Sequence, residues 1–179
     1  MGKVLRSGAS GPRLYRGAVA GAVAFSVMVL AGSCNNNGCL ENQNSLPLAG
    51  FYSHSSDSPL TLNSLNIGGV GAPNDSLLCK SGDAISQIYL PFRSTADVTS
   101  FYIAYADSAL VAHGVRDTMT FAYDSYPYLA SEECGAMYRY RITSVSYTRN
   151  VVDSIAVTDS LITNIDAERI RIYFRTSDD

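Results

Sequence analysis

Apolar and polar residues alternate with a period of two through much of this chain, and no other feature constrains its fold as strongly. Between residues 99 and 106, for example, Phe101, Ile103 and Tyr105 fall on one face of an extended segment. Successive side chains of a strand point to opposite faces, so this pattern predicts strands with one buried and one solvated face. The strand candidates are residues 46–52, 60–67, 85–92, 99–106, 117–123, 138–148, 154–162 and 169–175.

Segments rich in Gly, Pro, Asn, Asp and Ser separate these candidates, as expected of turns. About eight strands without intervening helices predict an all-β fold, an antiparallel β-sandwich covering residues 46–176. A small β-barrel is the alternative. The glycine-rich segment 68–71 lacks the Lys-Ser/Thr pair of a phosphate-binding loop, so we expect a hairpin or a bulge there.

The first 33 residues have the three zones of a secretory signal peptide. A basic start without acids precedes the uncharged, largely apolar run 17–30, and small residues follow at positions 31–33. The alternative is a transmembrane anchor. Fourteen helical residues rise only about 21 Å, however, which is short of the roughly 30 Å hydrocarbon core of a bilayer.

The segment from Leu30 to Cys34 resembles the lipobox of bacterial lipoproteins, although Ala31 stands where that signal commonly has Leu. The resemblance implies cleavage after Ser33 and acylation of Cys34, and two or three acyl chains hold a protein stably on a membrane. A lone Cys after an ordinary signal peptide is the alternative. We expect residues 34–45 to form a short polar tether, without the acidic run typical of surface-export signals. The expected location is therefore the periplasmic side of the outer membrane.

The charge of the mature chain argues against nucleic-acid binding. Removing the presequence leaves 9 basic and 16 acidic residues, a net charge of −7. An acidic domain without a basic stripe is a poor ligand for nucleic acid or anionic lipid. We therefore expect its membrane contact to come from the acyl chains on Cys34 alone.

With Cys34 assigned to lipid, Cys39, Cys79 and Cys134 remain. The oxidising compartment permits one disulfide and one free thiol. We favour Cys39–Cys134, which would fasten the tether to the domain and leave Cys79 as a buried or partly buried thiol; Cys39–Cys79 and Cys79–Cys134 stay open. Scattered cysteines and two histidines lack the spacing of a metal site, so we expect neither a metal nor another cofactor.

The sequence contains no convincing catalytic constellation. His54 lies among Ser53, Ser55 and Ser56, but adjacent residues do not face one another as a catalytic triad requires, and no G-x-S-x-G segment is present. His113 is expected in a loop. The paired acids Glu132-Glu133 and Asp178-Asp179 are neighbours, whereas glycosidase chemistry needs carboxylates on opposite sides of a cleft.

Five triplets consist of Asp, a hydroxyl residue and a small apolar residue, about five times the number that composition alone predicts. They resemble the O-glycosylation motif of exported Bacteroidota proteins, although Asp-Ser turns leading into strands produce the same pattern. The hydroxyl residues that would be modified are Ser76, Ser108, Thr118, Ser154 and Ser160.

Several segments together resemble a group of small, uncharacterised Bacteroidota lipoproteins that carry a domain of unknown function. They are Cys39, residues 88–92, residues 117–123 and residues 131–135, and the resemblance covers most of residues 39–174. It implies a periplasm-facing β domain and supports the pairing of Cys39 with Cys134. It implies no activity.

Two functions therefore compete. The first is an accessory or structural lipoprotein, without catalytic activity, that docks on an outer-membrane β-barrel or its assembly machinery. The second is a glycan- or peptide-binding module of the periplasm or cell surface, using its many Tyr side chains as platforms. A flat apolar patch would favour docking, and an exposed Tyr row beside a groove would favour ligand binding. An enzyme, most plausibly a hydrolase, ranks third.

Overall fold

The computed structural model describes residues 45–80, 82–105, 115–131 and 134–176. The chain divides into the units Met1–Gly38 and Cys39–Asp179, and all described residues belong to the second. The predicted signal peptide, Cys34, Cys39 and nearly all of the predicted tether therefore lie outside the described residues. The strands are β1 (Leu48–Ser53), β2 (Leu65–Gly69), β3 (Leu77–Cys79), β4 (Gln87–Tyr89), β5 (Val98–Tyr105), β6 (Arg116–Ser131), β7 (Gly135–Tyr147), β8 (Val152–Val157), β9 (Leu161–Ile162) and β10 (Glu168–Phe174).

These strands form two sheets, which confirms the predicted all-β sandwich. The four-stranded sheet has the order β4-β1-β10-β8, and the six-stranded sheet has the order β3-β2-β5-β6-β7-β9. The strand β1 pairs with β10 in parallel, which differs from the wholly antiparallel prediction. A parallel neighbour requires a long crossover, and here nearly the entire domain separates the two strands.

Alternating side chains of both sheets meet in one apolar core. Phe51 of β1 and Phe174 of β10 pack edge to face with ring centroids 5.4 Å apart. Phe174 also contacts the ring of Tyr105 in the six-stranded sheet at 6.1 Å. The fully buried residues of β5 and β6, Phe101, Ile103 and Phe121 among them, continue this core. Period-two alternation thus produces the two facing apolar surfaces that hold the sheets together.

The strands β6 and β7 are much longer than their neighbours. The pairing of β5 with β6 ends at Ala122. Beyond that point the segment from Tyr123 to Ser131 pairs with β7 alone among the described strands, and we call this paired arm the ribbon. The strand β9 pairs with the other edge of β7 at Tyr140 and Arg141, so the ribbon is two-stranded only from Tyr126 outwards. The sequence prediction ended this strand at Tyr123, before Pro127. The amide of Tyr123 points towards the β5 side, where it donates to the carbonyl of Asp97 at 2.8 Å. By strand alternation the backbone nitrogen of Pro127 points to the same side. The β6–β7 ladder therefore does not need the N–H that proline lacks.

Four other features of the strands differ from the prediction. The strand β3 was not predicted, the candidate 60–67 is a strand only from Leu65, the candidate 85–92 is a strand only at Gln87–Tyr89, and the candidate 154–162 divides into β8 and β9. The glycine-rich segment behaves as expected, because the β2–β3 pairing has a register shift between Ile67 and Gly68. Its left-handed residue Gly71, with φ of 72°, lies in the turn that follows β2.

Candidate docking surface

An apolar surface runs along the edge where β3 and β4 end the two sheets. A cavity of about 200 Å³ has Val70, Leu78 and Pro91 in its wall. A second cavity of about 410 Å³ also contains Leu78 and Pro91, together with Ile85 and Tyr89. Because the two cavities share residues, they form one continuous surface. We call these five residues, Val70, Leu78, Ile85, Tyr89 and Pro91, the apolar strip.

The apolar strip is accessible to a partner. Val70 is 50% exposed and Leu78 is 41% exposed, which are large fractions for aliphatic side chains. Edge strands also leave backbone groups without a ladder partner, so an apolar sheet edge is a natural place for another chain to bind.

The turn between β2 and β3 positions the outer part of the strip. Gly68 allows the Tyr102 hydroxyl to lie close above the backbone, where a Cβ atom would come within 2.8 Å of the oxygen. The chain then turns through Gly71 and a short 3₁₀ turn at Pro73–Asp75 before entering β3. In β3 the consecutive residues Leu77 and Leu78 must face opposite ways, so Leu78 points outwards.

Cys79 lies beneath the strip and is a free, buried thiol. Its Sγ atom lies 3.7 Å from the carbonyl oxygen of Leu65 and 3.6 Å from that of Lys80. Burial, with a smaller contribution from Asp83, raises the pKa of this thiol above its ordinary value. A protonated, buried thiol is a poor nucleophile, so Cys79 behaves as a core residue.

The ribbon presents a second exposed surface. Tyr126 is 44% exposed, Leu129 is 64% exposed and Tyr138 is 43% exposed. The guanidinium of Arg139 stacks over the ring of Tyr128 at 3.3 Å from its centroid, which stiffens one face of the ribbon. The outer half of the ribbon meets the start of the domain in a cavity of about 390 Å³. Its wall includes Ser45, Leu46, Ala136, Met137 and Tyr138.

The outer face of the four-stranded sheet carries a cluster around Glu168. The Tyr52 hydroxyl donates to the Glu168 carboxylate at 2.8 Å, Gln87 donates at 3.1 Å and Arg171 at 3.0 Å. The ring of Tyr52 lies between Arg171, whose guanidinium is 4.8 Å from its centroid, and Tyr173 at 5.7 Å. Burial and the hydrogen bond to Glu168 raise the pKa of Tyr52. These contacts hold the ring of Tyr52 and the guanidinium of Arg171 in place on the outer face of the sheet.

His54 has a carboxylate partner. The residues next to His54 in the chain did not predict this contact. Its Nδ1 atom lies 3.0 Å from Oδ2 of Asp153, the arrangement of the His-Asp half of a catalytic triad. The same carboxylate also contacts Arg175 at 3.1 Å and Arg149 at 3.5 Å, so two cations share its charge. No hydroxyl of the described residues hydrogen-bonds to the other nitrogen of His54, whereas the Ser53 and Ser55 hydroxyls bond to each other at 3.1 Å.

The residues predicted as modification sites are scattered over the domain. Ser76 and Ser160 are exposed, whereas Thr118 in β6 and Ser154 in β8 are only partly exposed. Ser108 lies outside the described residues. The Asp that precedes Thr118 is buried, and the Asp that precedes Ser154 is the ion-pair partner of His54.

The structure describes Cys79 and Cys134 but not Cys39, so it decides some of the possible cysteine pairings. The free thiol of Cys79 excludes the two pairings that involve this residue. Cys134, immediately before β7, is a disulfide-bonded cysteine. Because Cys39 lies outside the described residues, the pairing Cys39–Cys134 stays a prediction, as does the acylation of Cys34.

Within the described ranges, no helix is long and apolar enough to cross a bilayer. No three or more His, Cys, Asp or Glu side chains of these ranges lie where they could hold a metal ion together.

Comparison with known proteins identifies the family of this chain. No curated protein and no solved structure matches it. The profile of a family of unknown function, DUF6452, matches residues 64–174, which is more than half of the chain and includes every strand from β2 to β10. The expected domain of unknown function is therefore present, while the attribution to Bacteroidota lipoproteins stays an expectation. The chain belongs to the DUF6452 family of unknown function.

Proposed function

We propose that this protein is a non-enzymatic lipoprotein, held on the periplasmic side of the outer membrane by acyl chains on Cys34. It serves as an accessory or structural subunit of an integral outer-membrane protein, either a β-barrel or its assembly machinery. The observation that carries the docking is the apolar strip, in which Leu78 stands between two open cavities.

The strip suits a protein partner better than a small ligand. Its cavities are open and mainly apolar, with Arg93 beside one and Asp83 beside the other. Such an arrangement, an apolar centre with charges at its margin, is typical of protein interfaces. The cavities on either side of Leu78 would receive partner side chains, and Leu78 itself would fill a cavity of the partner.

The anchor rests on the sequence. A basic start, an apolar run and small residues precede Cys34, and the segment ending there resembles a lipobox. Each methylene buried in lipid contributes about 0.8 kcal/mol, so two or three acyl chains hold a domain of this size without a spanning helix. An accessory subunit anchored in this way reaches its partner by diffusing in the plane of the membrane.

The absence of catalysis is part of the proposal and is supported by the chemistry of the reactive groups. The carboxylate of Asp153, which could orient His54, is shared with Arg149 and Arg175. The Cys79 thiol is buried, and its pKa is raised. Neither environment favours an activated nucleophile.

The test uses the tagged, lipidated protein cross-linked in its own membranes and then purified. Leu78→Glu places a charge in the centre of the strip. Leu161→Glu is a matched control, because Leu161 is 38% exposed on β9, at the opposite edge of the same sheet. We expect a stoichiometric outer-membrane protein with wild type and with Leu161→Glu, and a loss of roughly tenfold or more with Leu78→Glu.

Equal recovery of the partner with both variants would overturn docking through the strip. Recovery of the lipoprotein alone after cross-linking would overturn the accessory role. Cys34→Ala tests the anchor separately, since this variant should leave the membrane fraction while its domain stays folded.

Glycan or peptide binding is the second candidate, favoured by the paired rings of Tyr52 and Tyr173 beside Arg171. Aromatic faces next to polar groups can hold sugar rings or extended peptides. Titration of envelope oligosaccharides and peptides against wild type and Tyr173→Ala tests it. Saturable binding that the substitution abolishes would support this function over docking.

A further inference from the structure

The start of the domain lies against the outer half of the ribbon, so the proposed lipid anchor is attached on that side. Ser45 and Leu46 share the wall of one cavity with Ala136 and Tyr138. Ser45 follows Cys34 by eleven residues. A segment of this length spans at most about 40 Å when fully extended and averages roughly 18 Å when flexible. The ribbon side of the domain is therefore held close to the bilayer.

Cys134 brings the tip of the ribbon closer still. It directly precedes β7 and is disulfide-bonded. With the predicted partner Cys39, which follows Cys34 by five residues, the tip would lie within about 24 Å of the acylated residue, counting the span of the disulfide. This distance is smaller than the thickness of the hydrocarbon core, so the tip would be held at the membrane surface.

The exposed side chains near this tip suit a membrane interface. Tyr126 and Tyr138 are aromatic residues with a polar hydroxyl, the kind of side chain enriched at the level of lipid headgroups. Leu129 adds an aliphatic side chain beside them. Asp124 lies opposite Arg141 in the ladder and balances its charge. The contact would therefore depend on aromatic and apolar groups and would not require anionic lipid.

These side chains occupy both faces of the ribbon. Tyr138 pairs with Pro127, so by strand alternation Tyr138 and Leu129 share one face and Tyr126 lies on the other. A flat protein surface would cover one face and leave the other in water. Headgroups and upper acyl chains surround an inserted hairpin on both faces, so this distribution favours a lipid occupant over a protein.

We propose that the ribbon tip is a second membrane contact, with Tyr126, Leu129 and Tyr138 inserted among the headgroups of the leaflet that holds the acyl chains. The inference rests on the lipid anchor of the proposed function and adds a fixed orientation to it. The ribbon faces the membrane, and the far ends of β6 and β7 point away from it.

The chain contains no Trp, so one introduced Trp reports on its own surroundings. Tyr138→Trp places the reporter in the ribbon. Tyr147→Trp is the control, nine residues further along the same strand and roughly 30 Å away. Each lipidated, full-length variant is reconstituted into zwitterionic vesicles whose acyl chains carry bromine near the headgroup. Because an interfacial aromatic ring sits at headgroup level, we expect roughly twofold quenching at position 138 and none at position 147.

Unchanged emission at position 138 in a protein that floats with the vesicles would overturn the ribbon contact and leave the lipid anchor standing. Loss of flotation would instead contradict the anchor itself, so the two failures are distinguishable. Equal quenching at positions 138 and 147 would overturn the proposed orientation. Adding Leu129→Asp to the ribbon reporter should restore its emission, because a charge at this depth opposes insertion.

Discussion

The hydroxyl of Tyr105 donates a hydrogen bond of 3.0 Å to Oδ2 of Asp117 inside the core. The same oxygen accepts the backbone amides of Val151 at 2.8 Å and Val152 at 3.0 Å. The other carboxylate oxygen accepts the amide of Asn150 at 2.9 Å and the hydroxyl of Thr148. Because the segment from Thr148 to Val152 carries the chain from the six-stranded to the four-stranded sheet, one buried carboxylate fixes the crossing between the sheets.

Replacing this carboxylate should therefore destabilise the domain. In Asp117→Asn the NH2 group of the new side chain would face N–H and O–H donors that a carboxylate oxygen accepts in wild type. Each buried donor that loses its acceptor costs about 1–3 kcal/mol. We expect the free energy of unfolding to fall by about 3 kcal/mol, measured by urea denaturation. Asp124→Asn is the control, because Asp124 is exposed and accepts only a 3.3 Å bond from Tyr126 among the described residues. A similar loss in both variants would contradict the special role of Asp117.

The stability of the domain should depend on pH through the same group. Burial by itself would raise the pKa of Asp117, but the hydrogen bonds from Thr148 and the amides of Val152, Asn150 and Val151 outweigh it, and the pKa is lowered from 3.8. Since the folded pKa lies below the unfolded value, the stabilisation is fully present above the unfolded pKa and is lost as pH falls through the folded pKa. The difference in unfolding free energy between wild type and Asp117→Asn should thus shrink from about pH 5 downwards. A difference that stays constant down to pH 2 would contradict this assignment.

Gly50 leaves room on the outer face of β1 for the carboxylate of Glu168. A Cβ atom at this position would collide with Oε2 of Glu168 and would come within 2.9 Å of the Tyr52 ring. We expect Gly50→Ala to displace Glu168 and destabilise the domain by about 1–2 kcal/mol, measured by thermal unfolding. Adding Tyr52→Phe, which removes the 2.8 Å hydrogen bond to Glu168, should then cost less than it does in wild type. Fully additive losses would show that the two residues are not coupled through Glu168.

Sequence alternation predicts strands wherever one face of the strand is buried. The candidate 99–106 corresponds to Val98–Tyr105, and the candidate 169–175 corresponds to Glu168–Phe174. The outer half of β6 could not be predicted in this way, because none of the residues from Asp124 to Leu129 is buried and no apolar face alternates there. The parallel pairing of β1 with β10 joins the two ends of the domain, and no local pattern contains that information.

The apolar strip was missed for a related reason. Val70, Leu78 and Pro91 come from separate turns and edges that only the folded chain brings together. One local signal was present, since two consecutive Leu residues of a strand face opposite sides and cannot both point into the core between the sheets. The His54–Asp153 contact joins residues almost a hundred positions apart, so the sequence offered no indication of it.

The redox state of the cysteines gives a further prediction. We expect the secreted, oxidised protein to yield a Cys39–Cys134 peptide pair in non-reducing mass mapping. Reduction or Cys134→Ala should lower the free energy of unfolding by about 2–4 kcal/mol, because the bridge closes a long loop. Cys79 should react with a thiol reagent only after unfolding, since its side chain is buried. A mapped pair that contains Cys79 would contradict both expectations.

The Asp-hydroxyl triplets differ in their exposure to solvent, and this difference predicts which of them can be modified. A glycosyltransferase acting on the folded chain needs an accessible hydroxyl and an accessible flanking Asp. Ser160 is exposed and Ser76 is exposed, whereas the Asp beside Thr118 is buried in its hydrogen-bond network. We expect any glycan on the native protein to lie on Ser76 or Ser160, so Ser76→Ala with Ser160→Ala should reduce the intact mass to that of the bare chain. Thr118→Ser, which keeps a hydroxyl, is the control and should leave the glycan mass unchanged. A glycopeptide containing Thr118 would mean that modification precedes folding, because the native chain hides the Asp of that triplet.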